Sequence, residues 1–83
     1  MLETLILQGK NESTLLPRVL RVLAQQGKQV ESLNCEVQKD RKSVIIEVTV
    51  QDSGCLAMTA RILQRLVSIE TVVVEEFKQK RAM

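Results

Sequence analysis

The fold turns on "QVESLNCEVQKDRKSVIIEVTV", residues 29–50. Its second half carries the clearest strand signal in the chain. Over 43–50, Val44, Ile46, Val48 and Val50 alternate with Ile45, Glu47 and Thr49, the period of two that a half-buried strand requires. The first half, 29–38, sets Leu33, Cys35 and Val37 on one face. Between them "KDRK" is a polar hairpin turn without the glycine of the tightest type. Two hairpin-linked strands thus occupy the middle of the chain, and what flanks them decides the topology.

Upstream lies "KNESTLLPRVLRVLAQQG", residues 10–27. Leu16, Val19, Leu20 and Leu23 recur at helical spacing, with Arg18, Arg21 and Gln25 between them. Pro17 is tolerated only in a first turn, where backbone N–H groups lack partners anyway. The helix therefore starts near Thr14, an N-cap residue type, and Gly27 closes it at the C′ position. Before it, "LETLILQ" (2–8) alternates as a strand, with Leu5 and Leu7 on one face and Ile6 on the other. Downstream of the hairpin, "QDSG" opens a second helix capped by Asp52 or Ser53, whose inward stripe is Leu56, Ala60, Leu63, Leu66 and Val67. "ETVVVEEF" (70–77) is the last strand.

The order is β-α-β-β-α-β, an α+β ferredoxin-like arrangement. Right-handed crossovers place both helices on one face of a four-stranded antiparallel sheet, with the second and fourth strands at its edges. The other face stays open, and Ile6, Ile45 and Val73 fall on it by parity. Such a row of aliphatics calls for a partner. So does the length: 83 residues make one domain near the lower limit for a single core. An oligomer is expected. Phe77 is the one aromatic residue, so the core is built from Leu, Val and Ile. Residues 1–77 read as the domain, and 78–83, "KQKRAM", as a basic flexible tail.

Composition excludes several chemistries. There is no histidine, so the usual proton shuttle at neutral pH and any Ser–His or Cys–His nucleophile are missing. Glu75 and Glu76 are adjacent on a strand and point to opposite faces, so they form no dyad. The glycines stand singly at turns and make no phosphate loop. No catalytic residue and no metal site is expected. Cys35 and Cys55 are not at metal or redox spacing and read as small buried hydrophobes. No cysteine lies in the first loop, where metal chaperones of this topology carry Cys-x-x-Cys.

Nucleic acid is also disfavoured. RNA modules of this topology stack bases on central-strand aromatics, whereas these central strands offer "TLILQ" and "SVIIEVTV". Arg18, Arg21, Arg61 and Arg65 take outer helix positions and read as ordinary hydrated surface. A net charge of +2 implies no polyanionic partner. No apolar run reaches the roughly 18 residues a membrane span needs, and the N-terminus lacks the layout of a signal peptide. A cytoplasmic protein is expected.

What remains is ligand capture or protein contact. The first loop and helix start offer N–H groups and a favourable dipole for a carboxylate. Asn11 carries both a donor and an acceptor. A free amino acid fits with its carboxylate on the backbone N–H groups and its side chain against Leu15, Leu16 and Val30, and Ser13 and Thr14 of the loop belong to the same candidate site. Gln29 and Val30, at the start of the next strand, would flank this cup in the same chain or in a neighbouring one. The competing reading is a plain helix cap.

The segment "NESTLLPRVLRVLAQQGKQVESLNCEV" resembles the start of an ACT domain, the small amino-acid-sensing module. It is similar to the regulatory (small) subunit of acetolactate synthase, also called acetohydroxyacid synthase. In that family an Asn-Glu-Pro-Gly loop leads into a leucine-rich helix that closes with Gly-aromatic-Asn-Ile-Glu-Ser-Leu. Here Asn11-Glu12 match the loop, Leu16, Arg18 and Val19 the helix, and Gly27 and Glu31-Ser32-Leu33 its end. "LQRLVSIETVVV" resembles the family's Leu-x-Lys-Leu-Val-Asp-Val-x-x-Val closing segment. The resemblance covers nearly the whole chain and implies the short, single-domain form.

It implies a non-catalytic subunit that binds and activates the acetolactate synthase catalytic subunit in branched-chain amino-acid synthesis. Thiamine diphosphate, Mg and FAD then belong to that partner and no cofactor to this chain. It also implies a homodimer formed through edge strands and sheet, and valine or another branched-chain amino acid bound between ACT domains. Three departures point to weak or absent valine feedback. Ser13-Thr14 stands where the family has Pro-Gly, so Thr14 adds a Cβ and a methyl where glycine allows close approach. Lys28 replaces the aromatic after Gly27, and Gln29 replaces Asn. The alternative is a free-standing ACT-domain sensor acting on another enzyme or regulator.

Overall fold

The computed structural model describes residues 2–51 and 56–76. Its elements are β1 (Leu2–Lys10), α1 (Leu15–Gln25), β2 (Val30–Val37), β3 (Ser43–Gln51), α2 (Leu56–Gln64) and β4 (Ile69–Glu76). The strands form one antiparallel sheet in the order β2-β3-β1-β4, which is the ferredoxin-like arrangement with β2 and β4 at the edges. No helix among the described residues is long and apolar enough to cross a membrane.

Packing follows parity. Leu5 and Leu7 of β1, and Val44, Ile46, Val48 and Val50 of β3, are buried beneath Leu15, Val19, Val22 and Leu23 of α1 and Leu56 and Leu63 of α2. Among the described residues the hydrophobic cluster is aliphatic. On the other face Ile6 stands opposite Val73 of β4 and Glu47 of β3. Ile6 and Ile45 are half-buried and Val73 is exposed. Thr4 and Thr49 share a hydroxyl hydrogen bond of 3.0 Å on that face.

Several boundaries and faces differ from the sequence reading. β1 runs two residues past the expected 2–8 because Gly9 and Lys10 still pair with Val44 and Ser43. The α1 stripe is rotated: Leu15, Val19, Val22 and Leu23 face inward, while Leu16 is half-buried and Leu20 is exposed. In α2 the stripe includes a fully buried Thr59 and excludes Val67, which is 85% exposed. The helix ends at Gln64, so helical spacing no longer governs position 67. Cys35 is exposed rather than buried; it shares the core-facing parity of Leu33, but β2 is an edge strand that the helices leave uncovered. The Asp52/Ser53 cap, Cys55, Phe77 and the 78–83 tail lie outside the described residues.

Local chemistry explains the ends. The Gly27 N–H bonds the Ala24 carbonyl and the Lys28 N–H bonds the Leu23 carbonyl, with Gly27 at φ +72°, a Schellman closure that needs a left-handed residue. The hairpin solves its lack of glycine differently. Arg41 adopts φ +60°, while the Asp40 carboxylate accepts from the Lys42 N–H at 2.8 Å and the Gln38 carbonyl accepts from the Arg41 N–H at 2.9 Å. An Asx-type bond thus supports a turn that glycine would form unaided.

Candidate functional site

Three connections meet at one end of the sheet: the β1–α1 loop, the β2–β3 hairpin and the α2–β4 turn. The Lys10 N–H donates to the Ser68 carbonyl at 2.8 Å and the Asn11 N–H to the Lys42 carbonyl at 3.0 Å. The Asn11 side-chain amide donates to the Arg41 carbonyl at 3.0 Å. The Ser68 hydroxyl donates to the Glu12 carboxylate. Gly9 makes the approach possible, since a Cβ there would sit 2.5 Å from the Ser68 carbonyl oxygen. The first loop is therefore tied on both sides, and Asn11 already has a structural partner.

The start of α1 is poorer in donors than a usual helix N-terminus. Thr14 occupies the N-cap position, but its φ −91°, ψ −7° is helical and its side chain makes no cap bond. An effective cap holds extended backbone so that the hydroxyl can reach back; Thr14 does not. The Leu15 N–H is bonded to the Glu12 carbonyl at 3.1 Å, and Pro17 has no N–H. Among the helix's first three residues this leaves the Leu16 N–H.

The expected site residues divide into separate places. Ser13 and Thr14, with Pro17, Arg18 and Arg21, line an open groove of about 310 Å³ along α1. Leu15 is 1% exposed and belongs to the core, so it supports the loop from beneath. Leu16 is half-buried at the rim of the core. Gln29 and Val30 are exposed, but at the far end of the sheet: Val30 pairs with Val50, whereas the loop follows the Lys10–Ser43 pair. From Ser43 to Val50 the strand runs roughly 23 Å at ~3.3 Å per residue. Within one chain the start of β2 therefore does not flank the cup. A neighbouring chain could bring it there: in antiparallel β2–β2 pairing its Val30 end would lie beside the Val37 end of this β2, the end next to the first loop.

Arg18 and Arg21 join the groove although the sequence reading assigns them to plain surface. With Thr14 and Pro17 they recur at i, i+3, i+4 and i+7, one face of a helix, so periodicity held the signal. Glu12 and Ser68 carry none, being far apart in sequence.

The second candidate surface is β2 itself. Its outer edge has no strand beside it among the described residues. Val30 and Val37 are 37% and 45% exposed, Cys35 is exposed, and Leu33 is half-buried. An aliphatic stripe thus lies along an open strand edge, the combination that invites strand addition.

No protein-family model matches the sequence, and no curated protein matches it. Solved structures do match in shape. The chain is similar to the ACT domain from the GTP pyrophosphokinase of Chlorobium tepidum, with TM-score 0.76 and 9% identity, over 89% of this chain and 96% of that one. An ACT domain protein from Streptococcus pneumoniae gives TM-score 0.73 and 14% identity over 100% and 97% of the two chains. A formyltetrahydrofolate deformylase from Pseudomonas putida gives TM-score 0.76 and 13% identity; 93% of this chain is covered, but it spans only 29% of that enzyme. At these identities the likeness is one of backbone architecture. The chain has the fold of an ACT domain.

Proposed function

We propose that this chain is a non-catalytic regulatory subunit of acetolactate synthase, acting in the cytoplasm as a homodimer that binds and activates the catalytic subunit. The observation that carries the reading is the bare β2 edge with its Leu33, Cys35 and Val37 stripe, next to an open sheet face bearing Ile6, Ile45 and Val73. Two such surfaces on so short a chain suit a domain that works in an assembly. The likeness of residues 11–37 to the family's first half supplies the partner. Activation requires that the subunit bind the active form of its partner better than the inactive one.

Any amino-acid site in this reading lies between chains, with Asn11, Ser13, Thr14 and Leu16 from one and Gln29 and Val30 from the next. The Thr14 side chain and the single free N–H among the helix's first three residues favour weak valine binding. The test is direct: purified chain is mixed with the catalytic subunit and acetolactate formation is followed. A rise in turnover is expected, and unchanged turnover overturns the proposal.

The second reading, a free-standing amino-acid sensor for another enzyme or regulator, is favoured by the architecture shared with the ACT domain of a different enzyme, a GTP pyrophosphokinase. Calorimetry with valine, isoleucine and leucine separates the two. Tight binding without any effect on acetolactate synthesis selects the sensor.

A further inference from the structure

Charge is distributed unevenly between the two layers. From Ser13 to Lys28 and from Leu56 to Ser68, the stretches that contain both helices, there is no Asp or Glu. The same stretches hold Arg18, Arg21, Arg61 and Arg65, all exposed. None of these arginine side chains is engaged by a hydrogen bond or ion pair with another described residue. The strands show the reverse, carrying Glu3, Glu31, Glu36, Glu47, Glu70, Glu75 and Glu76 against Lys10. The small net charge conceals a basic helix layer on an acidic sheet.

Helix stability does not explain Arg18 and Arg21. Exposed helices gain from Glu–Lys or Glu–Arg pairs at i, i+3 or i, i+4 and lose from like pairs. Arg18 and Arg21 are a like pair at i, i+3 within α1, while Arg65 lies just past the end of α2. Arg18 also stands in the first turn of α1, where a cation opposes the helix dipole; Arg61, in the last turn of α2, and Arg65, just past its end, sit well with theirs. Propensity does not favour Arg over Lys, yet each outer helix cation is Arg, while Lys10, Lys39 and Lys42 lie at a strand end and in the hairpin. Arginine is the cation enriched at protein interfaces, because its planar fork pairs bidentately with carboxylates and is weakly hydrated. Leu20 and Met58, 40% and 56% exposed, are further apolar surface on the helices. The groove lined by Ser13, Thr14, Pro17, Arg18 and Arg21 is large enough to receive an acidic side chain.

We propose that the outer face of the two-helix layer docks a carboxylate-rich protein surface through Arg18, Arg21, Arg61 and Arg65. Such docking does not depend on which enzyme the chain regulates. A protein is favoured over a nucleic acid because the domain has no described aromatic to stack a base.

The test uses the full chain and fluorescently labelled poly-L-glutamate, with anisotropy read across a salt series. The wild-type chain binds, and affinity falls as salt rises. Replacing Arg18, Arg21, Arg61 and Arg65 together by Gln, which has similar helix propensity, weakens binding at least tenfold while the circular dichroism spectrum is kept. The corresponding Lys replacements retain charge but lose the fork, and fall between the two. Arg41→Gln, off the helix layer, leaves binding unchanged. Absence of wild-type binding, equal binding by the Gln variant, or tighter binding to oligouridylate of equal charge would overturn the proposal, the last in favour of nucleic acid. Should the Gln variant fail to fold, the Lys variant decides: equal binding by a folded Lys variant rejects the forked contact.

Discussion

The Asn11 side-chain amide donates to the backbone carbonyl of Arg41 at 3.0 Å, thirty positions away and in the one described non-glycine residue with positive φ. The bond joins the first loop to the hairpin at the place where the hairpin is most constrained. Asn11 is therefore a brace first, whatever ligand the loop meets in an assembly. Asn11→Ala removes the donor and leaves an exposed carbonyl that water can satisfy. The expected loss is about 1 kcal/mol in urea unfolding. A variant with wild-type stability would show that the brace contributes nothing.

Gly9 and Gly27 are both required, for different reasons. At Gly9 a methyl group would meet the Ser68 carbonyl at 2.5 Å, with a Leu15 methyl at 3.1 Å behind it. Relief needs a backbone shift between β1 and the α2–β4 turn, so Gly9→Ala should cost about 1–3 kcal/mol, as overpacking does. At Gly27 nothing lies within 4 Å, but φ is +72°. There Gly27→Ala should cost about 1 kcal/mol through left-handed backbone alone. Gly27→Asn should lose less than Gly27→Ala, since asparagine tolerates that region, whereas every side chain at position 9 meets the same carbonyl. Urea midpoints for Gly9→Ala, Gly27→Ala and Gly27→Asn check the contrast.

The inward face of α1 is open to a similar contrast. Leu15 is 1% exposed and Leu20 is 40% exposed. Leu15→Ala should destabilise by about 2–5 kcal/mol, because it deletes packed core volume, whereas Leu20→Ala should cost well under half as much. Thermal unfolding of both variants reads the difference. Equal effects would mean that the helix is rotated to the phase with Leu16 and Leu20 inward.

The phase of α1 also marks where the sequence stops being informative. Strand alternation in 43–50 and the Gly27 stop determine element order, and with it the sheet topology, because few chain paths satisfy right-handed crossovers. Periodicity alone does not choose between Leu15 and Leu16, since neighbouring leucines both suit an apolar stripe; the choice comes from Gly9, which lets Leu15 settle against β1. Val67 escapes the inward stripe of α2 without warning, because no proline or glycine marks the end of that helix. The candidate site is less legible still. Ser13 and Thr14 do reach a groove, but Asn11 is held by Arg41 and Glu12 by Ser68, and bonds between residues so distant in sequence leave no local pattern. Gln29 and Val30 follow the loop closely in sequence, yet an eleven-residue helix carries them to the opposite end of the sheet.

The proposed dimer rests on β2, and its weakest tolerance is for charge on the apolar stripe. Val37 is 45% exposed and pairs with Val44 at the end of the strand nearest the first loop. In a monomer a lysine there would reach solvent at little cost, a common device for protecting an edge strand from pairing. In a two-fold β2–β2 pairing the same lysine would be brought beside the partner's strand and partly desolvated, along with its symmetry mate. Val37→Lys should therefore keep the folded spectrum of the domain and shift sedimentation from dimer to monomer at micromolar concentration. Lysine at Val73, which is 53% exposed on the open face of the sheet, should leave a β2-mediated dimer intact. If the Val73 variant dissociates and the Val37 variant does not, the chains associate through the sheet face, and a ligand site shared across β2 is lost with that edge.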